Sequence, residues 1–512
     1  MHRLRLPEPL NDTTPAFTDP ATAQAWLARL APKPATDTLA AMLEQIEALD
    51  GGPLSPPQTI ALLNLLRSAA VLRQAIAEGQ FTRKALPMLA DEERSFAVAQ
   101  QLWTRMGIAY LRLVPQCTPA NRCLPLHRAA SAFRMAQYCH FLAARTCTPL
   151  LDQLLLSVLF SAEANGVLRR PLADPDYPQY GKGTVSGELS WAFLIRTTDP
   201  YHLTPPQFQV ANRVFSRWRE LVAFEADAGS RKSAYRLDLA VLVGDELPPG
   251  IPRYLDMRVV AHKLAQRIQA LLAGESPEAL KLGRTLSAGA AIRLLKDLEH
   301  HLHLYHEAGA KEHGEIELVF GGDHAYARLN NETLNPIDTQ GTANRSFSYQ
   351  RTVQYGFDRV SHMPTEVKNK LDIPSERWMM VDGKATRPPG TSPTRLLAPC
   401  LVAALVDREP RLGVMASLQS EDDGTLSARL TWHADGVEAG TLKRMAPRGN
   451  RLVRVPVFVR QDGAAYSLIV PADTGARLGV KVELSGDAIE SLVPVEVLER
   501  GTDFVHYACK LP

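Results

Sequence analysis

A carboxylate and two cations follow the end of a predicted strand at residues 376–387, which read ERWMMVDGKATR. Turn amides beside Lys384 and Arg387 would suit a phosphate, and the carboxylate of Asp382 would accept hydrogen bonds from the edge of a guanine base. The alternative is a polar exit from a strand, with charged side chains that are only hydrated. The residues alone favour the hydrated exit, and both interpretations stay open.

A second candidate for chemistry is the tetrapeptide Asp-Thr-Gly-Ala at residues 473–476, which is also the active-site sequence of aspartic proteases. Those enzymes need two carboxylates that share a proton. Asp-Thr-Gly occurs once in the chain, so a second copy of the chain would have to supply the other carboxylate. We expect a surface turn in which Asp473 and Gly475 favour the turn conformation, and we keep a dimeric protease as an alternative.

Histidines crowd the end of a predicted helix in the stretch EHHLHLYHE, residues 299–307. On a helix, His300, His303 and Glu307 fall on one face and have the ligand types that zinc accepts. Histidines at the end of a helix also interact favourably with its dipole, and Lys311 follows closely. We therefore expect solvated or capping side chains and predict no metal site.

Other catalytic signatures are missing from the sequence. It has no P-loop, no dinucleotide fingerprint and no nucleophile elbow at the required spacings. Six scattered cysteines in a chain of 512 residues indicate reduced thiols rather than a disulfide framework. We predict a protein without catalytic residues and without a cofactor.

Charge and composition limit the partners of the chain. Fifty-seven Lys and Arg against 55 Asp and Glu leave a formal charge of +2, so no overall field would attract nucleic acid or an anionic membrane. The longest apolar stretch, near residues 150–168, contains Asp152 and Glu163 and is too short to cross a bilayer. We predict a cytoplasmic protein that neither binds nucleic acid nor inserts into a membrane.

The first half of the chain has the apolar spacing of packed helices. Apolar residues recur three and four positions apart, as in TLAAMLEQIEAL at 38–49 and PQTIALLNLLRSAAVLRQAI at 57–76. Ser55, Asp91 and Thr204 are the expected N-caps of three of these helices. The pattern predicts an all-α region over residues 1–310, with a sub-boundary near 226–251 where LDLAVLV indicates one strand. Two further helices are expected at 253–274 and 287–309.

The second half changes to the two-residue period of β-strands. The alternating runs include ERWMMVD, RLGVMASL, SARLTW, RLVRVPVFV, AYSLIV and VKVEL. Asp462-Gly463 between two of them predicts a hairpin. Short strands at close spacing favour a small antiparallel barrel or sandwich over residues 311–512, with a long polar insertion at about 321–375. The predicted fold class is α+β, with a helical region followed by a β-barrel domain.

The order of segments resembles a family of bacterial cytosolic proteins with a long helical N-terminal region and a C-terminal PilZ-like β-barrel. The resemblance rests on AWLARL, LLNLLRSAAVLRQAI, DPYHLTPPQFQVANRVFSRW, RYLDMRVVAHKLAQRI and PVFVRQDGAAYSLIVPADTGARLG. It covers most of the chain. PilZ domains bind the second messenger cyclic di-GMP, so the resemblance implies a regulatory protein rather than an enzyme.

Two PilZ motifs are altered in this sequence. Ligand-binding members carry an arginine pair, RxxxR, ahead of the first strand and a DxSxxG element on a following strand. Ahead of EIELVF stand Lys311 and His313 but no arginine, while Asp382 keeps the aspartate of the second element, with Lys384 at the serine position and Arg387 at the glycine position. Lysine lacks the planar fork with which arginine binds phosphate and stacks on guanine.

A literal RxxxR does occur, from Arg444 to Arg448, but it lies after the Asp382 element. If the site is kept at Asp382, the resemblance implies that this carboxylate accepts from guanine. It further implies that the phosphates are neutralised by four cations, namely Lys384, Arg387, Lys311 and Arg377.

Three functional hypotheses follow from the sequence. The first is a non-enzymatic cytoplasmic regulator related to cyclic di-GMP receptors, with a degenerate ligand site and a protein partner. The second is a protein-interaction scaffold without a nucleotide ligand. The third is the dimeric aspartic protease that uses Asp473.

Overall fold

The structure is a computed structural model that describes most of the chain. The described residues are 6–9, 14–226, 234–244, 253–304, 314–334, 373–381, 383–406, 408–434, 436–445, 452–463, 465–485 and 489–512. They divide into two compact units. The first comprises Met1–Ala308 with Gln419–Gly424, and the second comprises Gly309–Leu418 with Thr425–Pro512.

The first unit is built from helices, as the apolar spacing predicts. The helices are α1 (Pro20–Leu30), α2 (Ala35–Leu49), α3 (Pro56–Ala77), α4 (Ala90–Leu113), α5 (Cys123–Leu142), α6 (Pro149–Ala164), α7 (Val185–Thr197), α8 (Pro205–Trp218), α9 (Leu239–Val243), α10 (Arg258–Leu272) and α11 (Ala288–Leu304). The predicted α+β class, with helices first and antiparallel strands second, is confirmed.

Two of the three predicted helix starts are capped as expected. The backbone N–H of Ser55 donates to Gln58 Oε1 at 3.2 Å, and that of Thr204 donates to Gln207 Oε1 at 2.9 Å. The third prediction is wrong by two residues, because the N-cap of α4 is Leu89 and Asp91 lies inside the first turn. There its negative charge still faces the positive end of the helix dipole.

The core of this unit is centred on α4 and α5, which pack closely enough to exclude a side chain at Gly107. A Cβ atom on Gly107 would lie 2.4 Å from the ring of Phe133, so only glycine permits this approach. Trp103, Tyr110 and Phe133 are fully buried around the contact. Close packing of this kind makes the spacing of the two helices sensitive to single methyl groups.

The helix α3, with the short turn after it (Pro56–Gln80), is the one segment of the described chain that is long and apolar enough to cross a membrane. A core helix passes the same test. Leu62, Leu63 and Leu66 of α3 are fully buried in the helical core, and Arg67 is buried beside them. These residues pack in the core, whereas Leu72 and Ile76 near the end of the helix are 73% and 60% exposed.

The region around the predicted sub-boundary forms a small sheet. Its strands are β3 (Ala223–Glu225), β4 (Arg236–Asp238) and β5 (Tyr254–Asp256), in the order β3-β5-β4, and a two-stranded ladder of β1 (Leu172–Ala173) and β2 (Lys182–Gly183) lies earlier in the chain. The expected strand LDLAVLV is only partly a strand, because α9 starts at Leu239 with Asp238 as its N-cap. The helix expected at 253–274 likewise begins with β5.

The second unit starts with a closed antiparallel barrel. Its strands are β6 (Gly314–Phe320), β7 (Glu376–Val381), β8 (Lys384–Arg387), β9 (Cys400–Val406), β10 (Glu409–Ser420) and β11 (Leu426–Trp432), in the order β10-β11-β8-β7-β6-β9. The helix α12 (Gly322–Asn330) follows β6. It occupies the first part of the predicted insertion 321–375, and residues 335–372 of that insertion lie outside the described residues.

A six-stranded sheet follows the barrel in the same unit. Its strands are β12 (Val437–Met445), β13 (Leu452–Asp462), β14 (Ala465–Pro471), β15 (Val482–Glu483), β16 (Ser491–Arg500) and β17 (Phe504–Lys510), in the order β12-β13-β14-β17-β16-β15. Its two edges are joined where the N–H of Thr441 donates to Ser485 O at 2.9 Å and the N–H of Ser485 donates to Thr441 O at 2.6 Å. The expected single barrel is thus two successive β-structures.

Candidate ligand site

The five residues predicted to bind the ligand do not all fall within the described chain. Asp382 and Lys311 lie outside the described residues. Lys384 and Arg387 are the first and last residues of β8, and Arg377 is the second residue of β7. The side chain of Arg377 is 76% exposed and lies 3.3 Å from Glu315 Oε1, measured from its Nε atom.

Lys384 and Arg387 occupy opposite faces of β8. They are three residues apart, and side chains alternate between the two faces of a strand. Lys384 is accordingly exposed, whereas Arg387 is 2% exposed inside the barrel. The two cations therefore do not face one bound phosphate from the same side of the strand.

Arg387 has protein partners for its guanidinium group. Its Nη1 atom donates to Glu376 Oε2 at 2.6 Å, its Nη2 atom donates to the carbonyl oxygen of Thr394 at 2.9 Å, and the group lies 5.3 Å from the ring centroid of Trp378. Burial alone raises the pKa of Glu376, but the bonds from Ser392 and Arg387 outweigh it and lower the pKa. This geometry gives Arg387 a role in holding β7 and β8 together.

Arg387→Lys is expected to destabilise the second unit by about 1 kcal/mol, because lysine cannot donate to Glu376 and Thr394 together. Lys384→Arg on the exposed face of the same strand is the matched control and should leave stability unchanged. Urea unfolding of the full chain, followed by the fluorescence of its tryptophans, measures both. Equal stability of the two variants would contradict a structural role for Arg387.

A different arginine and aspartate meet at one end of the six-stranded sheet. Arg444 near the end of β12 donates from Nη2 to Asp473 Oδ2 at 2.7 Å and from Nη1 to the carbonyl oxygen of Asp473 at 2.6 Å. The side chain of Arg444 is 17% exposed and that of Asp473 is 61% exposed. The pair thus consists of a guanidinium with a half-buried stem and a carboxylate open to solvent.

Local structure explains how Arg444 reaches this position. Arg444 follows Leu442 by two residues, so it lies on the same face of β12 as that buried leucine. Its strand partner is Val453 of β13. The apolar part of the Arg444 side chain packs at the edge of the core, and the guanidinium group lies at the end of the sheet. The Nε atom of Arg444 is buried without a hydrogen-bond partner among the described residues.

The loop that carries Asp473 is held by backbone contacts on both sides. Thr474 donates from its N–H to Pro471 O at 3.0 Å, Gly475 adopts a φ of 76°, and Tyr507 of β17 donates from its hydroxyl to Ala476 O at 3.1 Å. The expected turn at Asp473 and Gly475 is what the structure contains. The carboxylate of Asp473 has an arginine partner here, whereas the protease hypothesis requires a second carboxylate beside it.

The sequence pattern alone does not join these two motifs, because Arg444 and Arg448 follow Asp382 in the chain, whereas a PilZ domain has its arginine motif before the aspartate. Relative to Asp473, the arginine motif and the aspartate occur in the order found in PilZ domains, because RxxxR comes first and Asp473 follows β14. Arg448 lies outside the described residues.

The helical unit contains a second concentration of charge, the Arg67 cluster, formed by Arg67, Arg128, Asp174, Asp176 and Ser131. Arg67 donates to both carboxylate oxygens of Asp174, at 3.0 and 2.7 Å, and to Ser131 Oγ at 3.1 Å. Arg128 Nη1 lies 2.5 Å from Asp174 Oδ2, and Asp176 also contacts Arg67. Arg67, Arg128 and Asp174 are each at most 9% exposed.

Electrostatics keep the Arg67 cluster ionised. Burial alone raises the pKa of the Asp174 carboxyl, but the hydrogen bond and the charge of Arg67 outweigh it and hold that pKa below its usual value. Burial alone lowers the pKa of Arg67, and Asp174 raises it above its usual value. The cluster connects α3 and α5 to the segment after β1. Its role is therefore structural.

Comparison with known proteins finds a relationship for the helical unit. Residues 21–228 match the family model described as "Cyclic-di-GMP receptor FimW, N-terminal domain". The match extends from α1 to just beyond β3 and includes the Arg67 cluster. No curated protein and no solved structure matches the chain. This part of the chain is therefore similar to the N-terminal domain of a cyclic di-GMP receptor family.

Proposed function

We propose that the chain is a non-enzymatic regulatory protein that binds cyclic di-GMP at the end of its six-stranded sheet, through Arg444 and Asp473. The observation that carries the proposal is the direct contact between these two side chains, which brings the first arginine of the RxxxR sequence to the loop of Asp473. The match of residues 21–228 to a cyclic di-GMP receptor family supports the same ligand.

The chemistry of the pair suits a guanine dinucleotide. A carboxylate accepts hydrogen bonds from the N–H groups on the edge of guanine, and a guanidinium binds phosphate through two parallel bonds or stacks on a base. Asp473 is exposed enough to exchange its bond with Arg444 for bonds to a ligand. In the absence of ligand the two groups neutralise each other, which keeps the half-buried guanidinium paired.

The site departs from the PilZ pattern after its aspartate. Gly475 stands at the serine position and Leu478 at the glycine position, with Gly479 one residue later. The loss of a serine hydroxyl removes one polar contact, worth about 1 kcal/mol in a typical hydrogen bond. We therefore expect weaker binding than an unaltered motif would give, with the arginine and aspartate supplying most of it.

The location first predicted, at Asp382, is the competing proposal. It would use Asp382 and Lys311 together with Lys384 and Arg377, because Arg387 is bound inside the barrel. Lys384 and Arg377 are exposed and can be changed without disturbing a core. The two locations therefore make separate predictions for the same ligand.

Calorimetric titration of the full chain with cyclic di-GMP tests the proposal. Asp473→Asn and Arg444→Ala should each weaken binding by at least about tenfold, the effect of losing one charge-assisted hydrogen bond. Lys384→Ala and Arg377→Ala are the matched controls and should bind like the parent chain. The reverse result would move the site to Asp382.

Two further outcomes separate the remaining hypotheses. Absence of heat with the parent chain at high protein concentration would remove the ligand and leave the protein-interaction scaffold. Proteolysis at acid pH that is lost in Asp473→Asn would instead support the dimeric protease. For the regulatory protein we propose a cytoplasmic location and a protein partner that responds to the bound nucleotide.

A further inference from the structure

Three side chains with metal-binding groups meet in the helical unit, at a place that the ligand proposal does not use. His202 ends the 3-10 turn Pro200–His202, while Asp297 and His301 are one helical turn apart on α11. One potential ligand atom from each of the three lies within 4.8 Å of the other two. The cluster joins two segments that are about a hundred residues apart in sequence.

The distances in the cluster are close to those of a metal centre. His202 Nε2 is 2.7 Å from Asp297 Oδ2, and His301 Nδ1 is 3.5 Å from Asp297 Oδ1. The two imidazole rings are stacked, with centroids 4.9 Å apart and an angle of 15° between their planes. Ligand atoms around a tetrahedral zinc ion are separated by about 3.3 Å, given bonds of about 2.0–2.1 Å. His301 Nδ1 also lies 2.9 Å from the backbone oxygen of Asp297, and the two ring planes are nearly parallel, so one ring would have to rotate for both histidines to direct a nitrogen at one ion.

Two observations distinguish this cluster from a surface coincidence. The Nδ1 atom of His202 is buried and has no hydrogen-bond partner in the part of the chain that the structure describes. The His202 atom that faces Asp297 is Nε2, so an ion in the cluster would be bound through Nε2, and the proton of the neutral imidazole would then lie on Nδ1. The side chains of His202 and His301 are only 18% and 21% exposed.

The local charge favours a cation. The negative charges of Asp297 and Asp199 act on both histidines of the cluster. Two carboxylates beside two imidazoles form the mixed oxygen and nitrogen environment that zinc accepts.

We propose that His202, Asp297 and His301 bind one divalent transition-metal ion, preferentially Zn²⁺, with solvent at the fourth position. The ion would tie α11 to the turn that precedes α8. This set differs from the one that the sequence suggested, because His300 and His303 are exposed on α11 and Glu307 lies outside the described residues. The Asp-x-x-x-His spacing on α11 was present in the sequence, but its partner His202 is distant.

Metal content of the full chain tests the site. The protein is freed of metal with a chelator, equilibrated with Zn²⁺ and dialysed, and its zinc is then measured. The parent chain should retain one equivalent, and His202→Gln, Asp297→Asn and His301→Gln should each bind at least tenfold more weakly. His300→Gln and His303→Gln, on the same helix, should retain the full equivalent. With Co²⁺, the parent chain should show the visible absorption of a tetrahedral centre.

A thermal melt with and without Zn²⁺ separates binding from folding. Binding to the folded state alone raises the melting temperature, so Zn²⁺ should stabilise the parent chain and the two control variants but not the three site variants. If one site variant fails to fold, the zinc content and the melting temperature of the other two site variants test the proposal. A parent chain that retains no zinc, or equal loss of zinc in the His300 and His303 variants, would overturn the proposal.

Discussion

Asp174→Asn is expected to lower the free energy of unfolding of the helical unit by about 3 kcal/mol, because it removes the counter-charge of buried Arg128 and leaves buried Arg67 with Asp176 alone. Asp174 accepts hydrogen bonds from Arg67 and forms an ion pair with Arg128, and all three side chains are nearly inaccessible to water. Asparagine keeps the volume of aspartate, so no cavity contributes to the loss. The effect would come from the lost negative charge beside the two guanidinium groups.

Urea unfolding of the full chain, followed by the far-ultraviolet circular dichroism of the helices, measures this loss. The control is Glu278→Gln, which breaks an ion pair with Arg284 in the same unit. Those two side chains are 56% and 81% exposed, and exposed ion pairs contribute little. A small effect of Asp174→Asn, similar to that of the control, would show that the cluster does not hold the helices together.

Acidification from pH 7 to pH 4 is expected to cost the helical unit about 3 kcal/mol through His140 alone, of which about 2 are lost by pH 5. His140 is 4% exposed, and its ring contacts that of Phe96 edge-on at 5.1 Å between centroids. Burial lowers the pKa of His140 to about 4. The folded protein therefore keeps this imidazole neutral.

The sign of the effect follows from where the proton binds. A histidine in the unfolded chain has a pKa of about 6.5. Between pH 6.5 and pH 4 the unfolded chain carries a proton that the folded chain does not, so stability falls as the pH falls. The contribution is complete above about pH 7 and is lost as the pH approaches 4.

His140→Leu should remove this part of the pH dependence and keep the site apolar. Urea unfolding of the full chain at pH 7, 6, 5 and 4.5, again followed by circular dichroism, measures it. The matched control is His303→Leu, because His303 is exposed on α11. Stability curves of the parent chain and His140→Leu that run parallel with pH would contradict a neutral, buried His140.

Helices with regular apolar spacing were predictable from the sequence nearly to the residue. The segments expected at 38–49 and 57–76 are the helices Ala35–Leu49 and Pro56–Ala77. Errors arose where a few residues of strand adjoin a helix, as at Asp238 and Leu239. In such short stretches the apolar pattern fits the period of a helix as well as that of a strand. Tertiary pairing with β5 therefore decides which of the two structures forms.

The individual strands were predictable from the sequence, but their division between a closed barrel and a second sheet was not. The hairpin at Asp462-Gly463 joins β13 to β14, with Asp462 paired to Ala465. The division into a closed barrel and a second sheet depends on which distant strands pair, and alternation does not encode it. For the same reason the contact between Arg444 and Asp473 was not predictable from the sequence, since the two residues become neighbours only through strands β12 to β14.

For charged residues, too, the sequence predicted the residue types but not their partners. Sequence alone identified Arg387 as a cation near a turn, but strand alternation places it inside the barrel with Glu376. Arg67, in the middle of an apolar helix, gave no sign of a partner 107 positions away. Pairing of this kind becomes visible only when the fold brings α3 beside the segment that carries Asp174.

The position of β17 has a consequence for how the proposed nucleotide site comes into being during synthesis. β17 is inserted between β14 and β16, so β14 has no partner on that side until residues 504–510 have been made. Tyr507 also supplies the hydroxyl that holds the Asp473 loop. The arginine and the aspartate therefore exist in the nascent chain well before the geometry that joins them can be completed.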